Sequence, residues 1–170
     1  MAKLTRDQFR PYVDITQGAV SGTYDWVRID KSTLFALTFN ANEETYEYID
    51  SANDTTEVTG FAPTMEQEII LDSDNALYQF LEPLFMSRLA DSSVDFGMPV
   101  MITEPDATGG ETYTAWVWDE AELTPSELNT PDGKLSFTIN LNGTATKGTA
   151  TFTDDGTVTF TADTTADTTE

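Results

Sequence analysis

The chain has 170 residues, no cysteine, no histidine and a formal charge of -22, a length that suits one domain with a sizeable core and needs no disulfide or metal staple. The missing residues exclude thiolate and histidine catalysis, imidazole- or thiolate-bound metal and a histidine pH switch, which leaves carboxylate-pair chemistry as the catalytic option. Residues 1–40 carry +1, residues 134–170 carry -3, and residues 41–133 hold 21 carboxylates against Arg88 alone; such an acid block repels nucleic acid and anionic membranes, and it reads either as a solubilising surface or as a shaped acidic surface with a function.

Met1-Ala2-Lys3-Leu4-Thr5-Arg6-Asp7 puts charges where a signal peptide needs its apolar stretch, so the expectation is a soluble protein made in the cytoplasm. Tyr24 to Asp30 and Leu34 to Phe39 read as strands that pair as a hairpin across Lys31-Ser32. Thr45 to Ile49 is an aromatic strand, Asp50 to Thr55 a turn-rich loop, and Glu57 to Phe61 a further strand. Met65 to Leu71 alternates cleanly. Met65, Gln67, Ile69 and Leu71 share one face, which must be buried, and Glu66, Glu68 and Ile70 share the other.

Asp72, Ser73 and Asp74 are N-cap candidates for a helix over about 74–89, whose stripe is Leu77, Phe80, Leu81, Leu84, Phe85 and Leu89. Pro83 removes a backbone donor there, so a kink or two abutting turns are expected. Gly97 to Thr103 and Thr112 to Asp119 resume the strands, with Trp116 and Trp118 opposite Tyr113, Ala115 and Val117. Glu104 to Glu111 reads as a Pro/Gly loop and Glu120 to Gly133 as a second, acidic loop around Pro125 and Pro131. The rest reads as a meander, Lys134 to Leu141, Thr144 to Thr153 and Thr157 to Thr161, with turns at Asn142-Gly143 and Asp155-Gly156. Ala162-Asp163-Thr164-Thr165 repeats as Ala166-Asp167-Thr168-Thr169 without apolar content and is expected to be a mobile tail.

Short motifs carry little. Asp72-Ser73-Asp74-Asn75 opens like a calcium loop, but Leu77 and Pro83 stand where Gly and Glu are needed, so it reads as a helix cap. Asn53-Asp54-Thr55 and Asn142-Gly143-Thr144 match a glycosylation triplet and read as turns. Gly109-Gly110 lacks the strand and helix of a phosphate loop, and no cofactor or metal is expected. Tyr46-Tyr48 and Trp116-Trp118 could form a sugar platform or pack a sandwich or subunit contact.

Tyr46-Glu47-Tyr48-Ile49-Asp50, followed by Thr55-Thr56-Glu57-Val58-Thr59-Gly60-Phe61-Ala62-Pro63-Thr64-Met65-Glu66-Gln67-Glu68 and the helix with Leu77-Tyr78-Gln79-Phe80, resembles the major tail tube protein of long-tailed, siphovirus-type bacteriophages of Gram-positive bacteria. Gly97 to Ile102, Leu135 to Gly143 and Lys147 to Phe152 look like that family's later strands, so the similarity spans about residues 20 to 154. Asp119 to Asp132 departs from the pattern, and the extra immunoglobulin-like domain of some relatives has no counterpart.

The resemblance implies a mainly β subunit, a β-sandwich or barrel-like fold with one flanking helix. It implies a single tail tube domain over 1–161, with an N-terminal arm over about 1–19 and a flexible tail over 162–170. It further implies a non-enzymatic virion protein, assembled in the host bacterial cytoplasm, that stacks as hexameric rings into a tail tube for DNA ejection. Implied partners are other copies of the chain and the tape measure, tail terminator and distal tail proteins, with DNA passing without sticking and no membrane. An acidic bore would suit a passing polyanion. Glu47, Glu66, Glu68, Glu111 and Asp119 are candidates to line it, the last two taken to end a strand beside Met65 to Leu71. Tyr46 and Tyr48, on the aromatic strand, and Asp54, Asp106, Glu120, Glu122 and Glu127, in loops (50–56, 104–111 and 120–133) expected to reach neighbours, are candidates for subunit contacts. The alternatives are a secreted or surface carbohydrate-binding β-sandwich module and a carboxylate-pair glycosidase.

Overall fold

Apolar residues at every second position, over short segments bounded by Gly, Pro, Asn and Asp, commit this chain to strands with one buried face. The computed structural model describes residues 8–16, 23–89, 97–105 and 112–163. In chain order these form β1 (Arg10–Asp14), β2 (Trp26–Arg28), β3 (Ser32–Thr38), β4 (Ala41–Tyr46), β5 (Thr55–Phe61), β6 (Thr64–Ile70), helix α1 (Ala76–Leu89), β7 (Val100–Pro105), β8 (Thr112–Trp118), β9 (Glu122–Asn129), β10 (Lys134–Asn140), β11 (Thr146–Phe152) and β12 (Val158–Ala162). The fold is mainly β, as expected.

Three sheets result. A six-stranded sheet has the order β12-β11-β8-β7-β1-β2, a four-stranded sheet the order β3-β6-β10-β9, and β4 pairs with β5 alone. The main core lies between the larger two and under the helix: Val13, Val100 and Ile102 from one sheet meet Met65, Ile69, Leu123, Phe137 and Ile139 from the other, with Leu77, Leu81 and Phe85 of α1. Facing rows such as Leu37, Met65, Ile139 and Leu123 are in direct register, so one parity faces the core, fully buried on β6 and β10 and half-buried at Phe35 and Leu37 of the edge strand β3. On its far face the six-stranded sheet curls around a second cluster. Tyr12, Met101, Ala115, Val117 and Ala150 fill it, and Trp26 and Val158, from opposite edge strands, both join it. Asp14 is fully buried among these strands and is satisfied by the backbone amides of Thr16 and Asp25 and by the Thr16 hydroxyl.

Several expectations are corrected. The segment read as an N-terminal arm contains β1, an inner strand between β7 and β2, because Tyr12 and Val13 supply one buried residue to each face of the sheet. Residues 24–30 and 34–39 form no hairpin. Lys31, at φ 51, carries the chain from one sheet to the other, and β3 pairs with β6. Asn142-Gly143 likewise changes sheet, since β10 pairs with β6 and β9 while β11 pairs with β8 and β12; Asp155-Gly156 is a true hairpin turn. The acidic loop 120–133 contains β9. Pro125 is tolerated because β9 is an edge strand and the register shifts beside it, at a bulge between the partners of Ser136 and Phe137.

The helix runs from Ala76 through Pro83 to Leu89 rather than as two abutting turns. Its cap is Asn75, not Asp72, Ser73 or Asp74: the Asn75 Oδ1 accepts from the Leu77 and Tyr78 amides, and its Nδ2 donates to Asp30. Ala162 belongs to β12, and the Asp163 amide bonds the Lys147 carbonyl, so neither belongs to the tail expected from 162; residues 164–170 lie outside the described residues.

Candidate assembly surfaces

The four-stranded sheet has one face left over once its core parity is buried. Across it run Ala36, Glu66, Thr138 and Thr124 in one row and Thr38, Thr64, Asn140 and Glu122 in the next. Glu68 and Ser136 share a third row, where Glu127 stands opposite Ser136 at the bulge. The result is an acidic face paved with hydroxyls. Glu68 is partly neutralised: Lys134 donates to its Oε1 at 2.6 Å and the Thr33 hydroxyl at 2.5 Å, and these bonds hold its carboxyl below the usual glutamate range. Glu66 and Glu122 are exposed, and no salt bridge is formed by either among the described residues.

The five bore candidates are therefore not on one surface. Glu66 and Glu68 share the outer face with Glu122 and Glu127, two residues placed among the subunit contacts. Asp119 follows β8 in the other sheet and accepts from the Tyr24 hydroxyl at 2.7 Å; burial, then this bond, pushes that hydroxyl up to about 12. β8 does not neighbour β6, whose partners are β3 and β10. Glu47 lies just beyond β4, and Glu111 and Asp106 lie outside the described residues. Glu120 sits in the turn after β8, against Gly143. Sequence reasoning missed the Thr and Asn rows because they form only when β3 and β10 pair on either side of β6, a long-range register that no local pattern shows.

A second surface is the paired strands β4 and β5, an arm carried on the ends of β3 and β6. Asn40, at φ 49, makes the joint: its side-chain amide donates to the Ala62 carbonyl and the Thr64 hydroxyl, and its carbonyl accepts from the Ala62 amide. No residue of β4 or β5 is buried, and along the arm Phe39, Tyr48, Ile49, Val58 and Phe61 are exposed large apolar side chains. Tyr46 and Tyr48 stack with ring centroids 6.0 Å apart. These two, with Glu47 and Asp54, gather at the arm's outer end. A two-stranded ribbon has little stability of its own in water, and neither face of this one is buried among the described residues.

In fold, the chain resembles a tail-tube terminator. The structure in question is the sheath/tube terminator of an extracellular contractile injection system in its extended state, with TM-score 0.50 and 11% identity over 86% of this chain and 97% of that one. Two further likenesses are looser: a structure of an anti-feeding prophage baseplate (TM-score 0.46, 11% identity, 86% and 96% covered) and one of the anti-feeding prophage tube-terminating cap (0.46, 14%, 96% and 93%). No family model and no curated protein matches the sequence.

The surface also carries clefts. One lies where the curled sheet's two edges meet and is lined by Tyr24, Asp25, Trp26 and Asp155, aromatics with two carboxylates. Asp155, however, accepts from the Thr153 hydroxyl and the Thr157 amide, which lowers its pKa, whereas a general acid needs a raised one. No group of three or more metal-capable side chains occurs among the described residues, and no helix among them is long and apolar enough to cross a membrane.

Proposed function

We propose that this chain is a structural subunit of a phage-tail-like particle, one that closes into hexameric rings and stacks them into a tail tube. The observation that carries this reading is the arm. A ribbon that projects from the domain with its aromatic side chains in water is stabilised only by a partner, and a contact between an arm and a different surface of the next copy is heterologous, the kind that builds rings and stacks. The outer face of the four-stranded sheet supplies the bore: Glu66 and Glu122 repel phosphates, and the Thr and Asn rows offer no cation to trap them. The likeness in fold to a sheath/tube terminator supports a place in a tail. In this reading the domain works as one unit, is non-enzymatic, resides in the virion tail after assembly in the host bacterial cytoplasm, and meets tape measure, terminator and distal tail proteins at the tube's ends.

A second reading has one observation in its favour, the terminator itself: the chain would form a single ring that caps a tube. Arm deletion separates assembly from folding. Replacing Glu43 to Val58 by a tight turn should leave the melting transition within a few degrees of the parent, because no buried residue is lost, while sedimentation velocity shows monomer alone at concentrations where the parent forms large species. Large species that survive the deletion would remove the arm from the assembly contact.

A further inference from the structure

The open side of the sandwich, along the edge strand β3, holds two adjoining clefts that share Phe9 and Phe35 as walls. The first, about 510 Å³, is apolar: Leu37 and Phe39 face Ile102, Trp116 and Trp118. Its one acid, Glu104, is engaged by the Trp116 indole at 2.6 Å. The second, about 390 Å³, has Arg28, Asp30, Lys31 and Gln67 in its lining. Lys31 is paired with Asp72, and Asp30 beside it accepts from Asn75. Arg28 is exposed and forms no salt bridge among the described residues. The Gln67 amide, 1% exposed, accepts from the Ser32 hydroxyl at its oxygen, and its nitrogen has no partner among the described residues. An apolar slot thus leads into a pocket whose Arg28 forms no salt bridge among the described residues, in a chain that has 30 carboxylates and only eight cations.

The arm's outer end has the matching order. Tyr48 and Ile49 are exposed, Ile49 completely, and Asp50 follows directly. The molecule's own arm points these residues into solvent, so its own groove is left to another copy. Resting on the assembly reading above, we infer that the groove beside β3 receives the arm end of a second copy, Tyr48 and Ile49 entering the apolar cleft and the Asp50 carboxylate meeting Arg28. Charge supports this occupant: between two chains of -22, a contact that joins an acidic tip to an exposed guanidinium removes repulsion at the point of closest approach.

The test is a charge swap in the full chain. Arg28→Asp and Asp50→Arg should each raise the concentration needed for assembly about tenfold, and the double variant should return to within about threefold of the parent. Singles that assemble like the parent, or a double no better than the worse single, would overturn the groove. A shift in monomer melting with assembly untouched would instead assign the groove to the chain's own residues 1–7, and also overturns it. The absence of cysteine allows a second readout. Ile49→Cys and Phe39→Cys chains, mixed and oxidised, should give a disulfide-linked dimer that neither gives alone; no mixed dimer contradicts the inference even if assembly is transient. A parent chain that never self-associates defeats the assembly reading itself, a result distinct from a parent that assembles without the groove.

Discussion

At Gly148, in β11, an added methyl group would meet the Thr161 carbonyl and the ring edge of Phe160 on β12. Gly148→Ala therefore forces the last strand off its register and should cost about 1 to 3 kcal/mol, seen as a melting point several degrees lower by circular dichroism; an unchanged melt would mean that β12 is not seated as described. Glu68 makes a pH-dependent contribution. Its folded pKa lies below the ordinary value of 4.5, through Lys134 first and Thr33 next. Stability from this site is thus complete above that ordinary value and is lost as pH falls through the lowered one. Glu68→Gln should lower the melting point near neutral pH, and the deficit should shrink as pH falls below the ordinary glutamate value and through the lowered one. An equal deficit at every pH would assign the effect to packing rather than to the ion pair.

Among the elements, β9 bears most directly on what is foldable. Ala121 and Leu123 are fully buried in the main core, and the Ala121 carbonyl accepts from the Met98 amide. Deleting Ala121 to Thr130 therefore removes a core strand and should give an unfolded or aggregated chain, not the assembly-defective monomer that a surface loop would allow; far-UV dichroism and a cooperative melt would decide. This element also shows where the sequence was legible. The parity of β6 could be read because Met65, Gln67 and Ile69 need only one buried face, a local fact, and the helix stripe of Leu77, Leu81 and Phe85 was visible for the same reason. β9 was hidden because an edge strand with a bulge accommodates Pro125, so its composition read as a loop even though the Pro131-Asp132-Gly133 turn pairs it directly with β10. The false hairpin at Lys31-Ser32 has another cause: local turn chemistry is satisfied equally by a change of sheet, and only the long-range partner of β3 distinguishes the two. Of the candidate surfaces, the acidic residues were visible but not their sorting onto faces, since strand order is a property of the whole chain.

For the whole molecule, charge sets the conditions under which copies meet. Subunits of -22 repel one another, and salt shortens that repulsion to about 8 Å at physiological ionic strength. Assembly followed by light scattering should accelerate as salt rises from about 0.01 M to 0.15 M; assembly fastest at the lowest salt would show that attractive ion pairs outweigh the net charge. The central claim is that the domain, its arm and its acidic face make a tube. Electron microscopy of the purified full chain, at the salt that favours association, tests this most directly. The account predicts hollow tubes of stacked six-fold rings with an open bore lined by the face that carries Glu66 and Glu122. Single rings that never stack would place the chain at a tube's end, and a chain that stays monomeric at every salt and concentration would contradict the account.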